Sequence, residues 1–271
     1  DSAVILCAQA QQLYRESADR NGLRAAVVAQ ARAHHMCGDD GKAFALLTEE
    51  LQLGEALGFR EGSRELRWML VPIARAMGHA EAEQRLLAEL STDALHDSLA
   101  LAKVHDGFGE MFLYRGEWDS AKSRFQASLR LDEASGDSLL AIKSLMRSAI
   151  VADKMKSTTE AFRYFTSALR RTDNTKGSEG LREEMLLRVA NIYIRQGRFA
   201  GARRFLNVSL RSAIQTQNKL IEGYSLLQLG RCYASAEAGH YYNAGAALIS
   251  HIGLPRANAY VNHRSRSFQP A

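Results

Sequence analysis

One stretch, Ala102 to Asp137, constrains the fold more than any other: AKVHDGFGEMFLYRGEWDSAKSRFQASLRLDEASGD. Two helical patterns flank a break at Arg115-Gly116-Glu117-Trp118-Asp119. The first carries Gly109 and Phe112, the second Ala121, Phe125 and Ser128, then Leu131. Small residues at Gly109, Ala121 and Ser128 let two helices approach closely, and Phe112 and Phe125 fill the space between them. The pattern predicts an antiparallel helical hairpin. The rest of the chain repeats it. Turn positions at 38, 78, 116, 156 and 197 are separated by 40, 38, 40 and 41 residues.

Composition agrees with an all-helical chain. Only 3 of 271 residues are Pro, and two of them, Pro255 and Pro270, lie in the last stretch. Pro72 is the exception; inside a helix it removes one backbone donor and is expected to bend it. The apolar runs are short and broken by charge, so none is long enough to span a bilayer. The net charge of +5 permits an acidic partner without demanding nucleic acid. Cys7, Cys37 and Cys232 are odd in number and far apart. They read as packed, reduced thiols of a cytoplasmic protein. The chain opens on Asp1, not Met, with no basic segment before an apolar one, so it reads as a piece of a longer protein or a processed one.

Taken in order, residues 2–19 form one helix, with Ala3, Cys7 and Ala10 at the spacing of Ala121, Phe125 and Ser128. It is expected to be the second half of a hairpin whose first helix is missing. Six hairpins follow: 22–37 with 41–57, 61–77 with 79–92, 97–115 with 119–134, 138–155 with 158–172, 178–196 with 199–215, and 218–236 with a last helix. In the first, Ala31 and His34 take the places of Gly109 and Phe112, and Asp39 and Asp40 are positioned to cap the next helix. The second hairpin fits worst, because its apolar face of Ala80, Ala82, Leu86, Leu87 and Leu90 is out of phase. The sixth is expected to turn at Glu237-Ala238-Gly239, with Ala244 and Leu248 packed beyond it. This gives a repeat domain over 1–252, comprising a half repeat at 1–20 and six hairpins. A non-repeat tail follows at 253–271. Its Arg256, His263, Arg264 and Arg266 read as a charged linker, with contact to nucleic acid or an acidic surface as the alternative.

The residue types at these offsets resemble the tetratricopeptide repeat. The ordinary repeat is about 34 residues long; here the second helix and the link are longer. Repeats of this length resemble those of the sensor arms of maltose-regulator-type bacterial activators and of the kinesin light chain. The resemblance implies an all-α, right-handed superhelical solenoid of antiparallel hairpins, whose first helices line an inner wall.

Read by helical phase, that wall carries Arg32, His35, Trp68 and Arg75 early in the chain, then Lys143, Met146, Arg147 and Lys154. Leu187, Arg188, Asn191, Arg195, Tyr224 and Arg231 complete it, interrupted by Glu65, Asp106, Glu110 and Glu184. Arg pairs carboxylates through two parallel hydrogen bonds, and Trp68, Met146, Leu187 and Tyr224 offer apolar anchors. Lys143, Arg147 and Asn191 have the types of the carboxylate clamp found in some tetratricopeptide proteins, but not its order.

No chemistry is visible beside this. His34 and His35 are adjacent and point to different faces, so His34 is expected in the core rather than on a metal. Glu183-Glu184 read as a solvated face. There is no phosphate-cradling Gly loop. The chain is expected to be a non-catalytic scaffold that binds a protein or acidic peptide through a basic groove and needs no cofactor. No membrane is involved, and nucleic acid is not expected through this region. The alternative is an effector-sensing arm of a larger transcription regulator or signalling protein, holding a small molecule.

Overall fold

The computed structural model describes residues 2–233 and 236–253. Among them are thirteen α-helices and no strand: α1 (Ser2–Glu16), α2 (Arg20–Cys37), α3 (Asp40–Ala56), α4 (Arg60–Ala76), α5 (Ala80–Asp93), α6 (Ser98–Arg115), α7 (Trp118–Ser135), α8 (Ser138–Lys154), α9 (Thr158–Thr172), α10 (Glu179–Arg195), α11 (Phe199–Gln215), α12 (Lys219–Gly230) and α13 (Ala236–Ile252). They form two compact units, Asp1–Met111 and Phe112–Ala271, whose boundary falls within α6.

Each break between helices is made by backbone geometry that the sequence encodes. A left-handed residue ends the helix at Gly38, Gly78, Gly116, Lys156 and Gly197, with φ of 86, 72, 77, 59 and 71°. The amide after it donates five residues back, as from Asp39 to His34 O, His79 to Ala74 O, Glu117 to Phe112 O, Ser157 to Ala152 O and Arg198 to Tyr193 O. These bonds satisfy carbonyls that the helix end leaves open. The links between hairpins also carry left-handed glycines, Gly58, Gly136 and Gly177, and at the first of them Phe59 N donates to Gly54 O. Caps at the helix starts are fewer. Asp19, Asp97, Asp137 and Asn218 accept from amides of the first turn. Asp39 does not cap α3; it pairs with Lys42 at 3.1 Å and His34 at 3.4 Å.

The core follows one register. At five, nine and twelve residues past the turns at 116, 156 and 197, side chains are buried: Ala121, Phe125, Ser128; Ala161, Phe165, Ala168; Ala202, Leu206, Ser209. Phe112 packs with Ala121 and Phe125, as the hairpin pattern requires. The same register holds in α5, where it was expected to fail: Glu83, Leu87 and Leu90 are buried at those offsets. A glutamate stands where the other repeats have Ala, and that disguises the phase. His34 is buried, as expected. Cys232 is buried too, whereas Cys37 is exposed at the end of α2, because its position follows the last core turn. Helix α4 continues through Pro72, on its exposed side.

Two departures concern the last hairpin. Helix α12 ends at Gly230, and Glu237, Ala238 and Gly239 belong to α13 rather than to a turn. Gly223, Gly230 and Gly245 bring the two backbones together: a Cβ on Gly245 would stand 2.7 Å from Gly223 O and 2.9 Å from Leu227 N. That close approach shifts the phase, so Gly245 and Ile249 are buried in place of Ala244 and Leu248. The tail with Arg256, His263, Arg264 and Arg266 lies outside the described residues.

Polar ties join successive hairpins of the second unit. Ser128 faces Ser144 at 3.2 Å, and Ser209 faces Ser225 at 3.1 Å. Asp132 accepts from both serines of the first pair, at 3.3 and 2.5 Å. Glu183, expected in a solvated face, is fully buried. It accepts from Ser212 at 2.9 Å, Thr216 at 2.7 Å and Asn218 at 3.1 Å. A carboxylate out of water needs such donors, and α11 and the start of α12 supply them.

Candidate functional site

The first helices α10 and α12 leave an open cleft of about 470 Å³ between them. From α10 it takes Glu184, Leu187, Arg188 and Asn191; from α12, Leu220, Ile221, Tyr224 and Gln228. Turns of i, i+3, i+4 and i+7 put these on one stripe of each helix. Leu187, Arg188, Asn191 and Tyr224, assigned to the wall by phase, meet here. Both Nε and Nη2 of Arg188 donate to Glu184 Oε1, at 2.9 and 2.6 Å. The cleft is therefore amphipathic, its one cation balanced by one carboxylate. Arg231 follows α12 and donates to Gln228 Oε1 at 2.7 Å, which places it at the end of the same cleft.

The other wall residues of the second unit sit on α8 or beside it. Lys143, Met146 and Arg147 are half-buried and Lys154 is exposed. Arg195, at the end of α10, pairs with Asp153 of α8.

The first unit has its own cleft, about 950 Å³, lined by α1, α2, α4 and α6. Arg32 is exposed there, with Nη2 4.0 Å from Met69 Sδ. Trp68 lies in the wall with the Lys103 ammonium 4.2 Å above its ring centroid. Loss of water against this wall pushes Lys103 below the usual lysine range; Arg64 adds to the shift and Glu65 opposes it. Arg75 is used for packing. It pairs with Glu83 and Glu110, both at 2.6 Å, and so ties α4 to α5 and α6. His35 Nδ1 donates to Asp40 Oδ1, 2.6 Å away.

Phase alone also passed over residues of both clefts. Lys103 stands one turn before Asp106, and Gln228 one turn after Tyr224, so both were legible as wall positions. Leu220 and Met69 carry no such sign, since an apolar residue on a helix reads first as core. Among the described residues no group of three or more His, Cys, Asp or Glu is placed to hold a metal. No described helix is long and apolar enough to cross a membrane.

No protein-family model matches the chain, and no curated protein matches it. Solved structures do. Aspartyl phosphate phosphatase F from Bacillus subtilis superposes with a TM-score of 0.70 at 12% identity, covering 95% of this chain and 70% of that one. A Rap protein complexed with competence and sporulation factor gives 0.66 at 10%, covering 89% and 73%. The repeats of a putative kinesin light chain from Podosopora anserina give 0.57 at 14%, covering 69% and 94%. The fold is a tetratricopeptide-like helical repeat. At these identities the likeness concerns fold alone. The cleft of the second unit is lined by the first helices α10 and α12, and that of the first unit mainly by the first helices α2, α4 and α6.

Proposed function

We propose that this chain is a non-catalytic scaffold that binds a peptide or protein segment, with the α10–α12 cleft as its principal site. One observation carries the reading: Leu187, Arg188, Asn191 and Tyr224, chosen by phase and residue type, line one open cleft. Leu187, Leu220 and Tyr224 would anchor apolar side chains. The amides of Asn191 and Gln228 suit the donors and acceptors of an extended backbone. Arg188 would exchange Glu184 for a ligand carboxylate, which makes an acidic residue the preferred neighbour of the apolar anchor. Lys143, Arg147 and Lys154 on α8, with Arg195 and Arg231, would add positive charge beside this cleft, and Arg32 would do so in the first unit. Arg75 would contribute only indirectly, by holding α4, α5 and α6.

The similarity to a Rap protein solved with competence and sporulation factor bound supports a ligand in a fold of this kind. It equally favours a second reading, a sensing arm that responds to a small effector. Affinity capture on the purified chain, followed by mass spectrometry, separates the two. A protein or peptide lost on Asn191→Ala with Tyr224→Ala supports the scaffold. A retained small molecule, lost on the same substitutions, supports the sensor. Capture unchanged by both substitutions contradicts this cleft as the site.

A further inference from the structure

The net charge of +5 hides an asymmetry. Residues 1–111 hold 11 Lys and Arg against 17 Asp and Glu, a balance of −6; residues 112–253 hold 21 against 13, a balance of +8. In the second unit much of the excess lies on the second helices, away from the clefts. Fourteen residues past the turns at 116, 156 and 197 stand Arg130, Arg170 and Arg211. Seven residues past the last two stand Arg163 and Arg204. All five are exposed. The register that buries Phe125, Phe165 and Leu206 thus turns an arginine outward on α7, α9 and α11 in succession.

The helices that carry this ladder are fixed in place. Two ion pairs bind α7 to α9 at either end, Lys122 to Glu160 and Arg171 to Glu133, both at 2.8 Å. Tyr193 of α10 bridges α9 and α11, with ring centroids 5.4 Å from both Phe162 and Phe205. The acids bordering the face are already occupied by those pairs. Arg163 lies 3.9 Å from Glu160, at the limit of an ion pair, and Arg211 Nε donates to Asn207 O at 3.2 Å. Between the arginines the face carries Ser123, Gln126, Thr166, Ser167 and Asn207, with no carboxylate.

Against the expectation that nucleic acid is not bound through this region, we propose that this face of α7, α9 and α11 binds the phosphate backbone of duplex nucleic acid. Arg, Ser, Thr, Asn and Gln are the side chains that bond phosphate oxygens, and the face is made of them. Along one helix, seven residues set Arg163 and Arg170, or Arg204 and Arg211, about 10 Å apart. Helices α7 and α9 lie within side-chain reach at both ends, and α9 and α11 both rest on Tyr193, so the cations are spread over three successive helices rather than gathered at a point. A polymer with regularly spaced charge meets such a spread better than a single acidic segment does. The face has no exposed aromatic ring between the arginines on which single-stranded bases would stack. Val208 and Ile214 are its large exposed apolar side chains, too few for the apolar centre of a protein interface. Binding would be independent of sequence, since nothing here reaches base edges in a defined pattern.

Fluorescence anisotropy of the full chain with a short labelled DNA duplex tests this across a salt series. Five phosphate contacts give a slope of log K against log salt of about −4.5. Arg130→Gln, Arg170→Gln and Arg211→Gln together should reduce the slope by about 3, with unchanged helical circular dichroism. Asn191→Ala with Tyr224→Ala should leave duplex binding intact, which separates this face from the cleft. No binding at low salt, or a slope unmoved by the three substitutions, overturns the proposal. So does competition in which a polyglutamate peptide or anionic vesicles displace the duplex at equal charge concentration, since the surface would then be a general anion or membrane site.

Discussion

Glu183 is the most demanding test of how the repeats hold together. Its carboxylate is fully buried and receives three donors, Ser212 of α11, Thr216 just after that helix, and Asn218, whose Oδ1 also accepts the Ile221 amide at the start of α12. Glu183→Ala removes the acceptor and strands the donors. A buried donor left unpaired costs about 1–3 kcal/mol. Thr216 is exposed and Ser212 and Asn218 are half-buried, so water recovers part of that for each. The net loss should be about 3 kcal/mol, near the lower end of what breaking a buried ionic cluster costs. Glu183→Gln keeps the shape but turns an NH2 group toward one donor, and should cost about 1–2 kcal/mol. Urea unfolding followed by circular dichroism measures both, and amide exchange should place the weakening at the junction of α11 and α12. A loss within 0.5 kcal/mol of zero for Glu183→Ala would refute the role of the cluster.

Three further substitutions test local claims. Lys156 and Gln217 hold φ of 59 and 56°, where the equivalent positions are mostly Gly; Lys156→Gly should raise stability by about 0.5–1 kcal/mol, seen as a higher Tm. Gly245→Ala drives a methyl into backbone atoms of α12 and should destabilise the last hairpin by about 1–3 kcal/mol in urea unfolding. Arg75→Ala leaves Glu83 buried without its counter-ion and should cost about 3–5 kcal/mol, much of it recovered when Glu83→Ala is added, a coupling that a double-mutant cycle reads directly.

The hairpins were legible because the same two signals recur: a left-handed residue after most first helices, and a small–large–small triplet on α7, α9 and α11. Where a residue broke the pattern chemically, the reading faltered although the packing did not. Glu83 fills an alanine position and Glu183 a core position, each made tolerable by partners outside its own helix, Arg75 in one case and Asn218 in the other. Periodicity carries no information on such partners. The last hairpin misled for a different reason. Gly223, Gly230 and Gly245 set its spacing through contact between backbones, and a glycine inside a helix gives no sign of which neighbour it touches. The same limit applies to the cleft. Helix phase found Leu187, Arg188, Asn191 and Tyr224, but not that Glu184 balances Arg188 or that Arg75 is spent on packing.

Photo-crosslinking from the α10–α12 cleft tests the central claim most directly. A photoreactive phenylalanine analogue in place of Tyr224 should form a saturable adduct with one defined peptide or protein segment, and the adduct should weaken on Asn191→Ala. The same analogue at Gln126, on the far face of a second helix, should give none of that adduct. Equal adducts from both positions would contradict binding in the cleft.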